Sequence, residues 1–149
     1  MTIREKIEDD IRQAMRSQNQ QRLDALRFLK NAIQMVEKAQ QKSLDDTGVT
    51  EVIAKQVKER RESIRMFEEG SRTDLVAKES AELAVLEEYM PPQMSAEQLS
   101  TLIREVIQQV GAETPRDKGR VMGKLMPQVR GLADGTQVNA LVDEILGAG

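Results

Sequence analysis

Apolar residues recur at intervals of three and four along most of this 149-residue chain, the period of one face of an α-helix. Ile3, Ile7, Ile11 and Met15 form the first stripe. Thr2-Ile3-Arg4-Glu5 in front of it has the form of a capping box, in which the Thr and Glu side chains satisfy each other's free amides. This predicts a helix over about residues 3–17, ended by polar Ser17-Gln18-Asn19. A second helix is expected over 20–42, where Ala25, Leu26, Phe28, Leu29, Ala32, Ile33, Met35, Val36 and Ala39 cover an arc of about 180°. An arc that wide predicts a central helix touching two neighbours.

Asp45-Asp46-Thr47-Gly48 reads as a turn, and a third helix is expected over 49–69 with Val49, Ile53, Val57, Ile64 and Phe67 inward. Gly70 should end it, in the left-handed conformation that glycine adopts without steric cost. A fourth helix over 73–89 meets Pro91-Pro92, which can neither donate a helical hydrogen bond nor fit the preceding turn. The double proline divides an N-terminal helical domain, residues 1–90, from a tail domain, residues 95–149, with 91–94 as linker.

In the tail, Ser95-Ala96-Glu97-Gln98 is a second capping box, and Leu99, Leu102, Ile103, Val106, Ile107 and Val110 form a stripe closed by Gly111. Thr114-Pro115 opens the next helix as N-cap and first-turn proline, with Val121, Met122, Leu125 and Met126 inward and Pro127 expected to end or kink it. The last helix carries Val138, Leu141, Val142, Ile145 and Leu146. The expected fold is all-α: an N-terminal domain of long antiparallel helices plus a C-terminal three-helix tail bundle.

Composition narrows the function. Phe28, Phe67 and Tyr89 are the aromatic residues, and there is no Trp, so Leu, Ile, Val, Met and Ala must fill the core. Without Cys there is no disulfide, thiolate nucleophile or cysteine metal site, and without His the commonest acid-base group and metal ligand are gone. A reducing, cytoplasmic setting is the expectation. The charged N-terminus does not resemble a signal peptide, and no run of about eighteen apolar residues suggests a membrane span.

Adjacent carboxylates such as Asp9-Asp10, Glu68-Glu69 and Glu87-Glu88 diverge by 100° on a helix and do not converge on a metal or substrate. Asp45-Asp46 lacks the spacing of a calcium loop, a di-iron bundle would need His, and no glycine-rich phosphate loop occurs. No cofactor, metal or catalytic constellation is expected.

The formal charge is −3, so any affinity for nucleic acid must come from local distribution. Residues 116–130 hold Arg116, Lys118, Arg120, Lys124 and Arg130 against the single acid Asp117. On a continuous helix, Arg116, Arg120 and Lys124 fall within about 80° of one another, a row suited to a phosphate backbone. Gly119 and Gly123 lie beside them, a smooth strip where another backbone can approach. The plainer reading is a solvated face with two glycines accommodating internal packing. With so few aromatic residues, shape and phosphate recognition of a folded RNA fits better than base stacking on single strands. Lys55, Lys58, Arg61 and Arg65 form a second basic group, but Glu51, Glu62 and Glu69 flank it and it reads as solvated. Arg60 falls inside an apolar arc and should find a carboxylate or reach water.

Four segments carry a resemblance: 58–64 (KERRESI), 86–93 (LEEYMPPQ), 117–127 (DKGRVMGKLMP) and 131–135 (GLADG), the last followed by Val138-Asn139. Together they resemble the YqeY family over essentially the whole chain. That family is similar to the C-terminal helical and tail region of GatB, a subunit of the glutamine-dependent amidotransferase that acts on misacylated Glu-tRNA or Asp-tRNA. The resemblance implies a free-standing, noncatalytic appendage that binds tRNA or another structured RNA. It also implies an inherited label of carbon-nitrogen ligase with glutamine as amido donor. Matched position by position, it places Lys118, Gly119, Arg120, Gly123, Lys124, Arg130, Gly131, Asp134, Gly135 and Asn139 on the RNA side, beside Arg116 from the charge pattern. The competing expectation is a module that docks a protein partner, such as an amidotransferase subunit.

Overall fold

The computed structural model describes residues 1–148. It is all-α, with no strand among the described residues: α1 (Ile3–Arg16), α2 (Gln20–Gln40), α3 (Asp46–Glu69), α4 (Thr73–Glu87), α5 (Ala96–Val110), a 3₁₀ turn (Pro115–Asp117), α6 (Lys118–Val129) and α7 (Gly135–Ala148). The chain forms two compact units, the first ending at Met90 and the second beginning at Pro91.

Both capping boxes form, Thr2 with Glu5 and Ser95 with Gln98. α3 begins three residues before its expected start because Asp45 is the N-cap, its carboxylate accepting from the Gly48 amide at 2.9 Å. The expected turn at 45–48 is thus the first turn of the helix. α4 ends two residues early, at Glu87, ahead of the double proline. Pro127 does not end α6, which continues to Val129 and buries that residue against the core. Gly111 closes α5 with φ +67° as expected, whereas Gly70 has φ −85° and Ser71 takes the left-handed role at φ +56°. The Arg72 amide reaches the Phe67 carbonyl at 2.9 Å across it, the bond that closes a helix around a left-handed residue.

The first unit's core takes Ile7, Ile11 and Ala14 from α1, Leu23, Leu26, Leu29 and Ile33 from α2, Val49, Val52, Ile53 and Val57 from α3, and Leu86 with Tyr89 at the end of α4. α2 contributes to contacts with α1, α3 and α4, as its wide apolar arc requires. Polar ties close both ends. Arg4 pairs with Glu37, whose carboxylate also accepts from the Leu44 amide at 2.8 Å. At the other end the buried Tyr89 hydroxyl donates to Asp10 at 2.5 Å, Lys6 lies 3.2 Å from the same carboxylate oxygen, and Arg22 links Asp10 to Glu88.

Past Val57, α3 and the facing part of α4 hold no fully buried residue, and Ile64 and Phe67 are half-buried. An ion cluster joins the two helices there. Arg60 pairs with Glu79 at 2.7 Å and with Glu82, and its guanidinium lies 4.9 Å from the Phe28 ring centre. The carboxylates expected for Arg60 are therefore supplied by α4, one helical turn apart.

The second unit packs Leu99, Ile103 and Val106 of α5, Val121, Leu125 and Val129 of α6, and Val138, Val142 and Leu146 of α7 into one core. Each helix gives three residues at near-helical spacing, the minimum that closes three helices around a common centre. No helix among the described residues is long and apolar enough to cross a membrane.

Candidate functional site

Thr114-Pro115 opens the 3₁₀ turn rather than α6 itself, which starts at Lys118. The Asp117 carboxylate organises this corner. It accepts from the amides of Glu113 at 2.9 Å and Thr114 at 3.1 Å and from Arg120 at 2.8 Å. The Glu113 amide first, then the Arg120 guanidinium and the Thr114 amide, hold this carboxyl far below the usual carboxylate range. The other arm of Arg120 donates to the Val110 carbonyl at 2.9 Å, the last residue of α5. Arg120 thus places positive charge at the carbonyl end of a helix, where the backbone dipole favours it.

These contacts alter the charge count made along the sequence. Lys118 is half-buried and pairs with Asp143 of α7 at 2.7 Å, an acid far along the chain that the local count left out. It subtracts one charge from the local excess, and Arg120 is engaged with Asp117 and α5. Because Arg116 lies in the 3₁₀ turn, the expected row of Arg116, Arg120 and Lys124 along one helix does not form. Arg120 and Lys124 alone share a face of α6. Arg116 and Lys124 are exposed, and neither has an ion-pair partner among the described residues. Arg130, also exposed, ends α6, its amide donating to the Met126 carbonyl at 3.1 Å.

Gly119 and Gly123 are exposed, and a Cβ built on either meets nothing within 4 Å. The reading of these glycines as an internal packing accommodation is therefore wrong. Pro127, one turn further on, is exposed too. Gly119, Gly123 and Pro127 stand two residues, or 200°, from Val121, Leu125 and Val129, so the face of α6 opposite the core carries almost no side chain. Arg120 and Lys124 border that bare face. Pro127 lacks an N–H to give to the carbonyl of Gly123. A glycine inside a helix costs about 1 kcal/mol relative to alanine, and here no contact within the described residues compensates two of them.

The loop before α7 is tied down by a segment the sequence presented as a linker. Gln93 donates through its side chain to the Gly131 carbonyl at 2.9 Å, and the Met94 amide to the Leu132 carbonyl at 2.8 Å. Gly131 has φ +74°, in the left-handed region that glycine occupies without strain, while Asp134, Gly135 and Asn139 are exposed around the start of α7. Of the predicted residues, Gly119, Arg120, Gly123 and Lys124 occupy exposed positions of α6, and Asp134, Gly135 and Asn139 occupy exposed positions around the start of α7. Gln93, Met94 and Asp143 are the participants that sequence reasoning missed. No local periodicity marks them, because they act through contacts distant in sequence.

Fold and site together define an all-helical protein of two small units, the second presenting a bare, cation-edged helix face. Residues 4–146 match the family described as Yqey-like protein, and the chain belongs to that family. It is similar to "Altered inheritance of mitochondria protein 41, mitochondrial" of Pyrenophora tritici-repentis, 31% identical over 146 residues, covering 96% of this chain and 80% of that protein. The protein of the same name from Kluyveromyces lactis is 28% identical over 123 residues, 80% of this chain and 66% of the relative. For the Saccharomyces cerevisiae protein the match is 32% over 85 residues, 56% of this chain and 46% of the relative, so the match spans under half of that protein.

These relatives are named as mitochondrial proteins, which overturns the cytoplasmic expectation. The physical reason is plain: a chain without cysteine neither gains nor loses a disulfide in any compartment, so its composition does not report one.

Proposed function

We propose that this protein binds tRNA, or a similarly folded RNA, without catalysing a reaction on it, through α6 and the loop before α7. The observation that carries this reading is the outward face of α6: two glycines with open space beside them, bordered by exposed Lys124, with exposed Arg116 in the 3₁₀ turn that precedes the helix. A face without side chains lets a sugar-phosphate strand lie close to the helix, where two unpaired cations meet phosphates with little acidic competition. The shallow groove of A-form RNA, with its 2′-hydroxyls, suits a smooth helix surface better than it suits long side chains. The family's likeness to the GatB tail supports the same assignment.

Two of the five cations, Lys118 and Arg120, already serve the fold. About two to three phosphate contacts then remain, and the logarithm of affinity should fall with the logarithm of salt at a slope of roughly −2 to −3. Binding of tRNA at two salt concentrations tests this. The double variant Arg116→Glu/Lys124→Glu should weaken binding at least about tenfold and flatten the slope by roughly 1 to 2. A complex insensitive to salt, or one untouched by that variant, sinks the proposal.

The same bare face favours a second reading, close docking of a protein helix such as one from an amidotransferase subunit. Capture of a defined protein that survives RNase treatment, and is lost in Gly123→Leu but not in Lys124→Glu, distinguishes it from RNA binding. Glutamine-dependent amide transfer by the purified chain is expected not to exceed the blank.

A further inference from the structure

α6 runs directly into a turn of defined type. Arg130 has φ −55° and ψ 125°, Gly131 has φ +74°, and the Leu132 amide donates to the Val129 carbonyl at 2.9 Å, which together make a type II turn with Arg130 at its first corner. The φ of Arg130 is still helical and its amide still donates to the Met126 carbonyl at 3.1 Å, so its Cβ leaves the backbone as it would inside α6. At about 100° per residue, Lys124 stands about 60° to one side of Pro127 and Arg130 about 60° to the other. The bare face of Gly119, Gly123 and Pro127 is therefore edged by exposed Lys124 on one side and, at its C-terminal end, by exposed Arg130 on the other.

What holds that turn lies outside it. The Gln93 carboxamide nitrogen has two hydrogens and uses both, one on the Pro91 carbonyl and one on the Gly131 carbonyl, each at 2.9 Å. The bond to Pro91 braces the side chain against its own backbone, so the carboxamide is already aimed when it takes Gly131. The Met94 amide takes the next carbonyl, Leu132, at 2.8 Å, and Met94 packs against the second core. The end of a helix is otherwise prone to fray, because its last carbonyls have no partner within the helix. Here Gln93 and Met94 fix the direction in which the chain leaves α6, and Arg130 is the residue at that exit. We propose that Gln93 is a positioning residue for Arg130, holding it at the edge of the bare face, where the phosphates of a bound RNA pass. This role rests on RNA binding through α6.

Gln93→Met keeps the length of the side chain, removes the donor and changes no charge. The bond from Met94 to Leu132 and the second core remain, so the variant folds, which circular dichroism checks. Its affinity for bulk tRNA should fall about three- to tenfold, the effect of one net hydrogen bond. Its salt slope should flatten by up to about 1, a change that a neutral-for-neutral substitution brings about only by displacing a cation from a phosphate. Arg130→Ala should do the same. Gln93→Met added to Arg130→Ala should then change affinity by less than about twofold, whereas added to Lys124→Ala it keeps its full effect. Without RNA, trypsin should cut after Arg130 at least about threefold faster in Gln93→Met, with the cut after exposed Lys42 in the first unit as the unchanged reference. A wild-type chain with no salt-sensitive tRNA complex removes the RNA reading and this role with it. A wild-type complex that Gln93→Met leaves within about twofold at an unchanged slope, or weakens equally with and without Arg130, overturns the role alone, as does a cleavage rate that does not rise.

Discussion

Replacing Tyr89 by Phe removes one oxygen from the first unit and tests whether the polar tie at that end holds the helices together. The hydroxyl donates to Asp10 at 2.5 Å, and the Tyr89 side chain is buried. A hydrogen bond to a charged acceptor contributes about 1.5–3 kcal/mol. Asp10 keeps Lys6 at 3.2 Å and Arg22 at 3.7 Å in the variant, so it is not left unpaired and the low end, about 1.5 kcal/mol, is expected. Burial pushes the Asp10 carboxyl upward, but the Tyr89 hydroxyl and the Lys6 and Arg22 charges together outweigh it and bring the group below its ordinary value. A carboxyl depressed in the folded state stabilises above its unfolded pKa, and that contribution disappears as pH falls through the folded value.

The difference between wild type and Tyr89→Phe should therefore be full near neutrality and shrink below about pH 4. Urea unfolding followed by circular dichroism measures it. A variant within about 0.5 kcal/mol of wild type at neutral pH, or a difference that persists unchanged into acid, refutes the reasoning. The same contact has an alkaline signature. Burial first, then the Asp10 carboxylate, pushes the phenol well above its ordinary value. Tyr89 is the chain's one tyrosine, so phenolate absorbance should appear only as the first unit unfolds in base.

Ser71→Gly should stabilise the first unit by about 0.5–1 kcal/mol, because Ser71 sits at φ +56° where a side chain is strained and glycine is not; thermal unfolding that shows no gain counts against this account of the α3 terminus. Asp117→Asn should lower the melting temperature of the second unit at neutral pH and flatten its dependence on acid, since the depressed Asp117 carboxyl stabilises above the ordinary carboxylate range and loses that effect only as pH falls through its much lower folded value. A melting curve for this variant that tracks wild type across the acid range would show that the three donors around the group do not depend on its charge.

Periodicity, capping residues and proline fixed the helices of this chain because those signals act within a few residues of one another. Thr2 with Glu5 and Ser95 with Gln98 close their caps inside a single turn, and the stripes of α5 and α7 point inward wherever those helices are placed. The family was legible for the same reason, in contiguous motifs that need no tertiary contact. Local reading failed where two conformations are close in energy. Pro127 is tolerated because burial of Val129 two residues later outweighs one missing hydrogen bond, and Ser71 rather than Gly70 takes the left-handed position after α3, where the Arg72 amide closes the helix onto the Phe67 carbonyl.

Only tertiary structure decided the state of each charge. Arg60 could be assigned a carboxylate in advance, but α4 determined that there are two, and that Phe28 lies against the same guanidinium. Of the basic residues counted along the tail, Asp143 claimed Lys118, and the end of α5 claimed one arm of Arg120. Whether a cation is available depends on which acids and carbonyls come within about 4 Å, a distance that says nothing about separation in sequence. The sequence therefore determined which residues form helices and which are charged, while the packing of those helices determined which charges, and which bare glycine face, were left exposed.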